Sequence, residues 1–176
     1  GVVVFAVAAM DAYVRDTVAS NLAKLVASRA KANRDLPEEL VKVVDSAMNT
    51  KALIKAAYAS RPGSHIRSAV EGILAERSFQ SARAIEDAFK IIGLDDLTAK
   101  VAEECSDSKK QLERKIREIA KRRHQIVHQA DLHQDKQHKR KPREIKVGFV
   151  EDALKTIDSF VKHMDQVVKK YMQGIK

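Results

Sequence analysis

Apolar residues recur at spacings of three and four along nearly the whole chain, the period of amphipathic α-helices. Val4, Val7, Ala8, Val14, Val18, Leu22 and Leu25, with Asp11 among them, predict one buried stripe on a first helix from Val2 to Ala30. Extra apolar residues around its first half predict a central helix covered on several sides. Asn33 to Pro37 breaks the pattern, and Asp35 is placed to cap a helix over Glu38 to Met48 with Pro37 in its first turn. A short helix is expected from Thr50 to Ala59. Arg61-Pro62-Gly63-Ser64 then reads as a turn before helices from His65 to Arg77 and from Ser81 to Ile92. Gly93 can stop the latter, and Asp95 or Asp96 opens a shorter helix reaching Cys105.

Ser108, with Gln111 three residues on, forms a capping-box pattern at the head of a long helix reaching about Gln129. Residues 131–146, DLHQDKQHKRKPREIK, lack apolar periodicity and read as a long basic loop. A last helix is expected from Phe149 to Met172, with Val150, Leu154, Ile157, Val161, Met164, Val168 and Tyr171 as its stripe. Nothing reads as a strand. The expectation is an all-α bundle of six to eight helices, residues 1–176 forming one helical domain.

Composition agrees: six Gly, three Pro and no Trp in 176 residues leave a core of Val, Ile, Leu, Ala and Met. The lone Cys105 forms no intrachain disulfide and reads as a small buried hydrophobe, so an oxidising compartment is not implied and a cytoplasmic protein is expected. The longest apolar run, Val2 to Met10, is too short to span a bilayer, which takes about 20 residues. No basic segment precedes it, and Gly1 directly before it suggests that residues upstream have been removed or that Gly1 itself is an added remnant. The final helix mixes charges among its apolar residues, which argues against a membrane-surface role.

The net charge of +9 is local. Between residues 106 and 146, fourteen Lys and Arg stand against six Asp and Glu, so +8 of it lies in that stretch. Such a patch is either a solvated helix face or a phosphate-binding surface. Its centre is Lys121-Arg122-Arg123-His124-Gln125-Ile126-Val127-His128. On a helical wheel, Leu112, Ile116, Ile119, Ala120, Ile126 and Val127 fall within about 60° of Arg123. That puts Arg123 in the middle of an apolar stripe, with His124 and His128 one turn apart at its edge. A buried guanidinium is costly unless paired. Asp11, on the stripe of the first helix, is the expected partner in a buried ion pair.

An Arg beside two His suits RNA chemistry. The 2′-hydroxyl can attack its adjacent phosphate if a base takes its proton, an acid protonates the leaving 5′-oxygen and a cation stabilises the pentavalent transition state. Histidine titrates near neutral pH and arginine matches phosphate oxygens. No metal or other cofactor is expected, because the substrate supplies the nucleophile. A metal site at His124, His128, His133 and His138 is the rival reading, but His124 and His128 lack the intervening Glu of a zinc-protease helix.

Arg123-His124-Gln125-Ile126-Val127-His128 resembles the signature of the HEPN superfamily, an Arg followed by a polar residue and then a His in a late helix. Val4 to Arg15, with Asp11 among apolar residues, resembles the first helix of such domains. The likeness is closest to the RiboL-PSP-HEPN type, with His124 where Asn is more usual and an unusually long basic loop after the motif. The resemblance implies a metal-independent endoribonuclease of toxin–antitoxin, antiphage or RNA-processing systems, or a relative that binds RNA or a protein partner without cutting. It implies a homodimer whose two motifs share one cleft, and in some systems an antitoxin or other regulatory partner. By carry-over, Arg123 holds the phosphate, His128 transfers protons and His124 supports it. Arg122, Lys136, Lys139, Arg140, Lys141 and Arg143 are the expected RNA-backbone contacts, on a loop expected to be mobile without RNA.

Overall fold

Residues 2–31 contain neither Gly nor Pro, and they form one uninterrupted helix, α1 (Val2–Lys31), about 45 Å long. In this computed structural model residues 1–128, 132–134, 140–142 and 146–175 are described, Pro62 and the two strands by their backbone alone. Among them are α2 (Glu38–Ala47), α3 (Thr50–Ala57), α4 (Pro62–Ala75), α5 (Ala82–Lys90), α6 (Leu97–Glu104), α7 (Lys109–His128) and α8 (Val147–Gly174). The fold is all-α, with one small addition. Strands β1 (Leu132–Gln134) and β2 (Arg140–Pro142) pair antiparallel between α7 and α8, with His133 opposite Lys141. No strand was expected there, because a three-residue ladder held by backbone bonds needs no apolar alternation. No helix among the described residues is long and apolar enough to cross a membrane.

Local chemistry sets most of the boundaries. Asn49 Oδ1 accepts from Ala52 N (2.9 Å) and Ser81 Oγ from Ala84 N (3.2 Å), capping α3 and α5. Ser108 Oγ caps α7 by accepting from Gln111 N at 3.2 Å. The reciprocal half of that box belongs to Asp107, whose carboxylate accepts from Ser108 N at 2.8 Å. Two expectations are corrected. Pro37, not Asp35, is the N-cap of α2, and it caps without a side-chain hydrogen bond. Pro62 opens α4 instead of belonging to a free turn, because a proline at the first helical position loses no intrahelical bond.

The core is one continuous apolar cluster. α1 contributes Val3, Val7, Met10, Val14, Val18, Leu22 and Leu25 to it, and α4, α5, α7 and α8 all pack against α1. The phase of α8 differs from the expected stripe. Ala153, Ile157, Phe160, Met164, Val167, Val168 and Met172 are buried, whereas Leu154 is 37% exposed. α1 departs similarly at its start, where Met10 and Val3 are buried but Ala8 is exposed.

One junction ties three segments. Gly93 ends the α5 turn at φ 77°, and Tyr171 of α8 donates to the carbonyls of Ile92 (3.0 Å) and Gly93 (2.8 Å). A Cβ on Gly93 would lie 2.8 Å from the Tyr171 hydroxyl and 3.0 Å from Pro37 Cγ. Gly93→Ala is therefore expected to cost about 2 kcal/mol, from left-handed backbone strain plus the displaced hydroxyl. Tyr171→Phe should cost about 1 kcal/mol, both read from urea midpoints at constant slope. Burial raises the Tyr171 phenol above its ordinary value of 10.0, although Arg29 pulls it down. A raised folded-state pKa adds stability below the unfolded value and loses it as pH climbs through the folded one. Unfolding free energy should thus fall on titration above pH 10.0, and Tyr171→Phe should flatten that fall. An unaltered alkaline limb in that variant would contradict the assignment.

Candidate RNA-cleavage motif on α7

The inner face of α7 is buried at Leu112, Ile116 and Ile119. Val7 and Met10 of α1 meet Ile116, Ile119 and Ala120 around a small cavity closed by Ile157 and Phe160 of α8. Ile119 also lies beside Phe149 and Ala153, so α7 packs along the first half of α8. One turn further on, burial runs out. Arg123 and Ile126, which continue the inner stripe, are half-buried, and Val127 is 44% exposed.

His124 and His128 lie on the exposed side of this last stretch. Their ring centroids are 4.6 Å apart and the rings are tilted by 40°. The i, i+4 spacing on a helix produces this proximity directly. Arg123 sits against the motif with its Nε enclosed and without a hydrogen-bond partner. The three residues that the sequence singles out are thus together at the C-terminal end of one helix.

The expected Asp11–Arg123 ion pair is not formed. The Asp11 side chain, 13% exposed, accepts from the backbone N–H of Phe79 at 2.8 Å and from Gln80 Nε2 at 3.5 Å, and it lies 3.6 Å from Arg15 Nη2. Asp11 secures the segment between α4 and α5 where it crosses α1. Its charge is compensated one turn along its own helix, so it does not need Arg123. A buried carboxylate can be satisfied by a backbone N–H as well as by an opposite charge, and here Phe79 N–H takes that place.

The basic segment is only partly within view. Arg122 is half-buried on α7. Arg140 and Lys141 stand on β2, so the expected loop at 131–146 contains a short hairpin ladder. Lys136, Lys139 and Arg143 lie outside the described residues, as does His138. Among the described residues no group of three or more His, Cys, Asp or Glu is placed to hold a metal ion. The lone Cys105 is half-buried, its Sγ 3.8 Å from Ser159 Oγ.

Two surfaces escaped the sequence. The start of α1 is not covered on all sides: Phe5 is 76% and Val2 56% exposed, while Val147 at the start of α8 is 72% exposed. Val127, on the motif helix itself, adds a further exposed apolar residue. Separately, a cleft of about 820 Å³ opens between α1, α4 and α8, lined by Tyr13, Arg15, Lys24, Arg67 and Asp165 among others. None of its lining comes from α7. Within it Tyr13 donates to Asp165 (2.9 Å), and Lys169, with that bond, holds the Asp165 carboxyl below its ordinary value.

A family model described as RiboL-PSP-HEPN matches residues 1–166. No curated protein and no solved structure matches the chain.

The reassigned role of Asp11 has a measurable consequence. Asp11→Ala should destabilise by about 1–3 kcal/mol by stranding the Phe79 N–H, and Asp11→Asn, which keeps an acceptor, by less. In a double-mutant cycle with Arg123→Ala the coupling should stay within about 0.5 kcal/mol. A coupling of several kcal/mol would restore the ion pair.

Proposed function

Because the chain belongs to the RiboL-PSP-HEPN family, we propose that it is a metal-independent endoribonuclease that cuts RNA by attack of the 2′-hydroxyl on the adjacent phosphate. The observation that carries this reading is the exposed His124–His128 pair, 4.6 Å between rings, on the same helix end as Arg123. In the reaction the 2′-oxygen forms a bond to phosphorus as a histidine takes its proton. The bond to the 5′-oxygen breaks as that oxygen receives a proton. A 2′,3′-cyclic phosphate and a 5′-hydroxyl result. His128 is the proton-transfer residue, His124 supports it, and Arg123 neutralises charge building on the phosphorane oxygens.

Two imidazoles 4.6 Å apart on one helix face approach a phosphate from the same side. An in-line displacement asks for the base and the acid on opposite sides. A second copy of the chain, bringing its own motif across a two-fold axis, supplies the missing side. The exposed Phe5, Val2, Val127 and Val147 give such a copy apolar surface to cover. Arg122, Arg140 and Lys141, with Lys136, Lys139 and Arg143 outside the described residues, are assigned to the RNA backbone.

RNA binding without cleavage is the second reading. It is favoured by the missing Asp11 pair, which leaves Arg123 without an orienting carboxylate among the described residues. Incubation with mixed RNAs in EDTA, followed by end mapping, separates the two. Cleavage with cyclic-phosphate ends is expected for the natural chain, and a loss of at least about a hundredfold in rate with retained binding for His128→Ala. Intact RNA at every condition would leave only the binding role. Phe5→Glu should convert a dimer to monomers in light scattering and abolish cleavage. Full cleavage by a monomer would refute the shared cleft.

A further inference from the structure

The outer face of α7 carries a regular row of charge. Lys110, Arg114, Arg117, Lys121, His124 and His128 follow one another at alternating steps of four and three, and every one is exposed. On a helical wheel all six fall within about 40° of Lys110, nearly opposite the buried Leu112, Ile116 and Ile119. The row is therefore straight and ends at the histidine pair. From Lys110 to His128 it spans about 27 Å, with a cation or imidazole at intervals of about 5 Å.

Their alignment sets these residues apart. Several helical cations elsewhere are neutralised by a carboxylate one turn away: Lys42 by Glu38 and Glu39, Arg67 by Glu71, Lys162 by Asp158, Lys169 by Asp165. On α7 itself Lys115, off the row, is bound to Asp107 at 2.7 Å. Lys110, Arg114, Arg117 and Lys121 have no ion-pair partner among the described residues, and the two acidic residues of the helix, Glu113 and Glu118, stand to either side of the row. A solvated helix face gains from i, i+4 pairing of opposite charges. Glu113 and Glu118 lie within one turn of these four cations yet pair with none of them among the described residues, and the four like charges stand in line, an arrangement that an external polyanion relieves.

We propose that this row is a phosphate track on which a single RNA strand lies, its backbone contacting Lys110, Arg114, Arg117 and Lys121 and its scissile phosphate reaching His124 and His128. The assignment rests on the reading of the motif as an RNA site. Single-stranded RNA fits for two reasons. A straight line of cations follows one extended backbone, whereas the phosphate ridges of a duplex curve away from a straight helix. A 2′-hydroxyl also reaches in-line geometry only where its nucleotide is unstacked and free to rotate. The track supplies affinity and register along the strand without reading bases, and it requires several nucleotides on one side of the cut.

The test is fluorescence anisotropy with a labelled oligouridine of about a dozen nucleotides, on the His128→Ala chain so that the probe stays whole. Arg114→Gln with Arg117→Gln, added to that chain, removes two exposed cations and no core contact. Affinity is expected to fall at least about tenfold, and the slope of log affinity against log salt to become shallower by about 1.4, the contribution of two phosphates on a single strand. Lys51→Gln with Lys55→Gln on α3, of equal charge change, should leave the slope as it was. An unchanged slope in the α7 variant, an equal flattening in the α3 variant, equal competition by duplex RNA, or no binding at all each overturns the track. Cleavage in EDTA by the natural chain is scored separately. If it is present while the α7 variant binds normally, the track fails and the nuclease reading stands. If it is absent while the slope depends on Arg114 and Arg117, the nuclease reading fails and the track stands.

Discussion

The buried stripe of α1 is the constraint on which the remaining structure depends. Seven of its side chains, Val3 through Leu25, enter the single apolar cluster, and four other helices pack against the same rod. Each fully buried Val or Leu contributes about 1.5–3 kcal/mol by leaving water, so the position of every neighbour is set by which turn of α1 it covers. α7 meets α1 at Val7 and Met10 through Ile116, Ile119 and Ala120. Beyond that contact the burial of α7 ends, which leaves Arg123 half-buried and His124 and His128 exposed.

The elements that the sequence revealed are those with local causes. Ser81, Gly93 and Ser108 bound their helices through contacts within a few residues, and such contacts are written in the order of the chain. The hairpin of β1 and β2 has no comparable mark, because its pairing is between backbones. The phase of α8 was misjudged for a different reason. Leu154 and Ala153 are neighbours, and period alone allows either to face inward. The outcome puts Ala153 in and leaves Leu154 partly out, with Ala153 beside Ile119 and Phe149, a choice set by tertiary neighbours and not by period.

The same division runs through the site. The His124–His128 contact was legible because a helix guarantees it. Asp11 was correctly read as an acid among apolar residues and given the wrong partner, since Phe79 N–H, far along the chain, offers no side chain to notice. Exposure was the harder quantity. Val2 and Phe5 belong to an apolar run and were expected inside, yet no element of the chain covers Phe5 among the described residues. An apolar run shows a need for a partner surface without showing whether that surface belongs to the same chain.

α7 resolves three demands with three faces. Its inner face, through Leu112, Ile116 and Ile119, fixes it to α1 and α8. Its outer face sets cations, unpaired among the described residues, in a line that ends at the imidazoles. Its last turns, from Arg123 to His128, extend past the point where α1 and α8 can bury them, which places an Arg in half-burial with an unsatisfied Nε beside exposed Val127. An enclosed Nε–H without an acceptor among the described residues is unfavourable. The proposed function gives that group a use, because a phosphate accepts from an arginine N–H and would satisfy it.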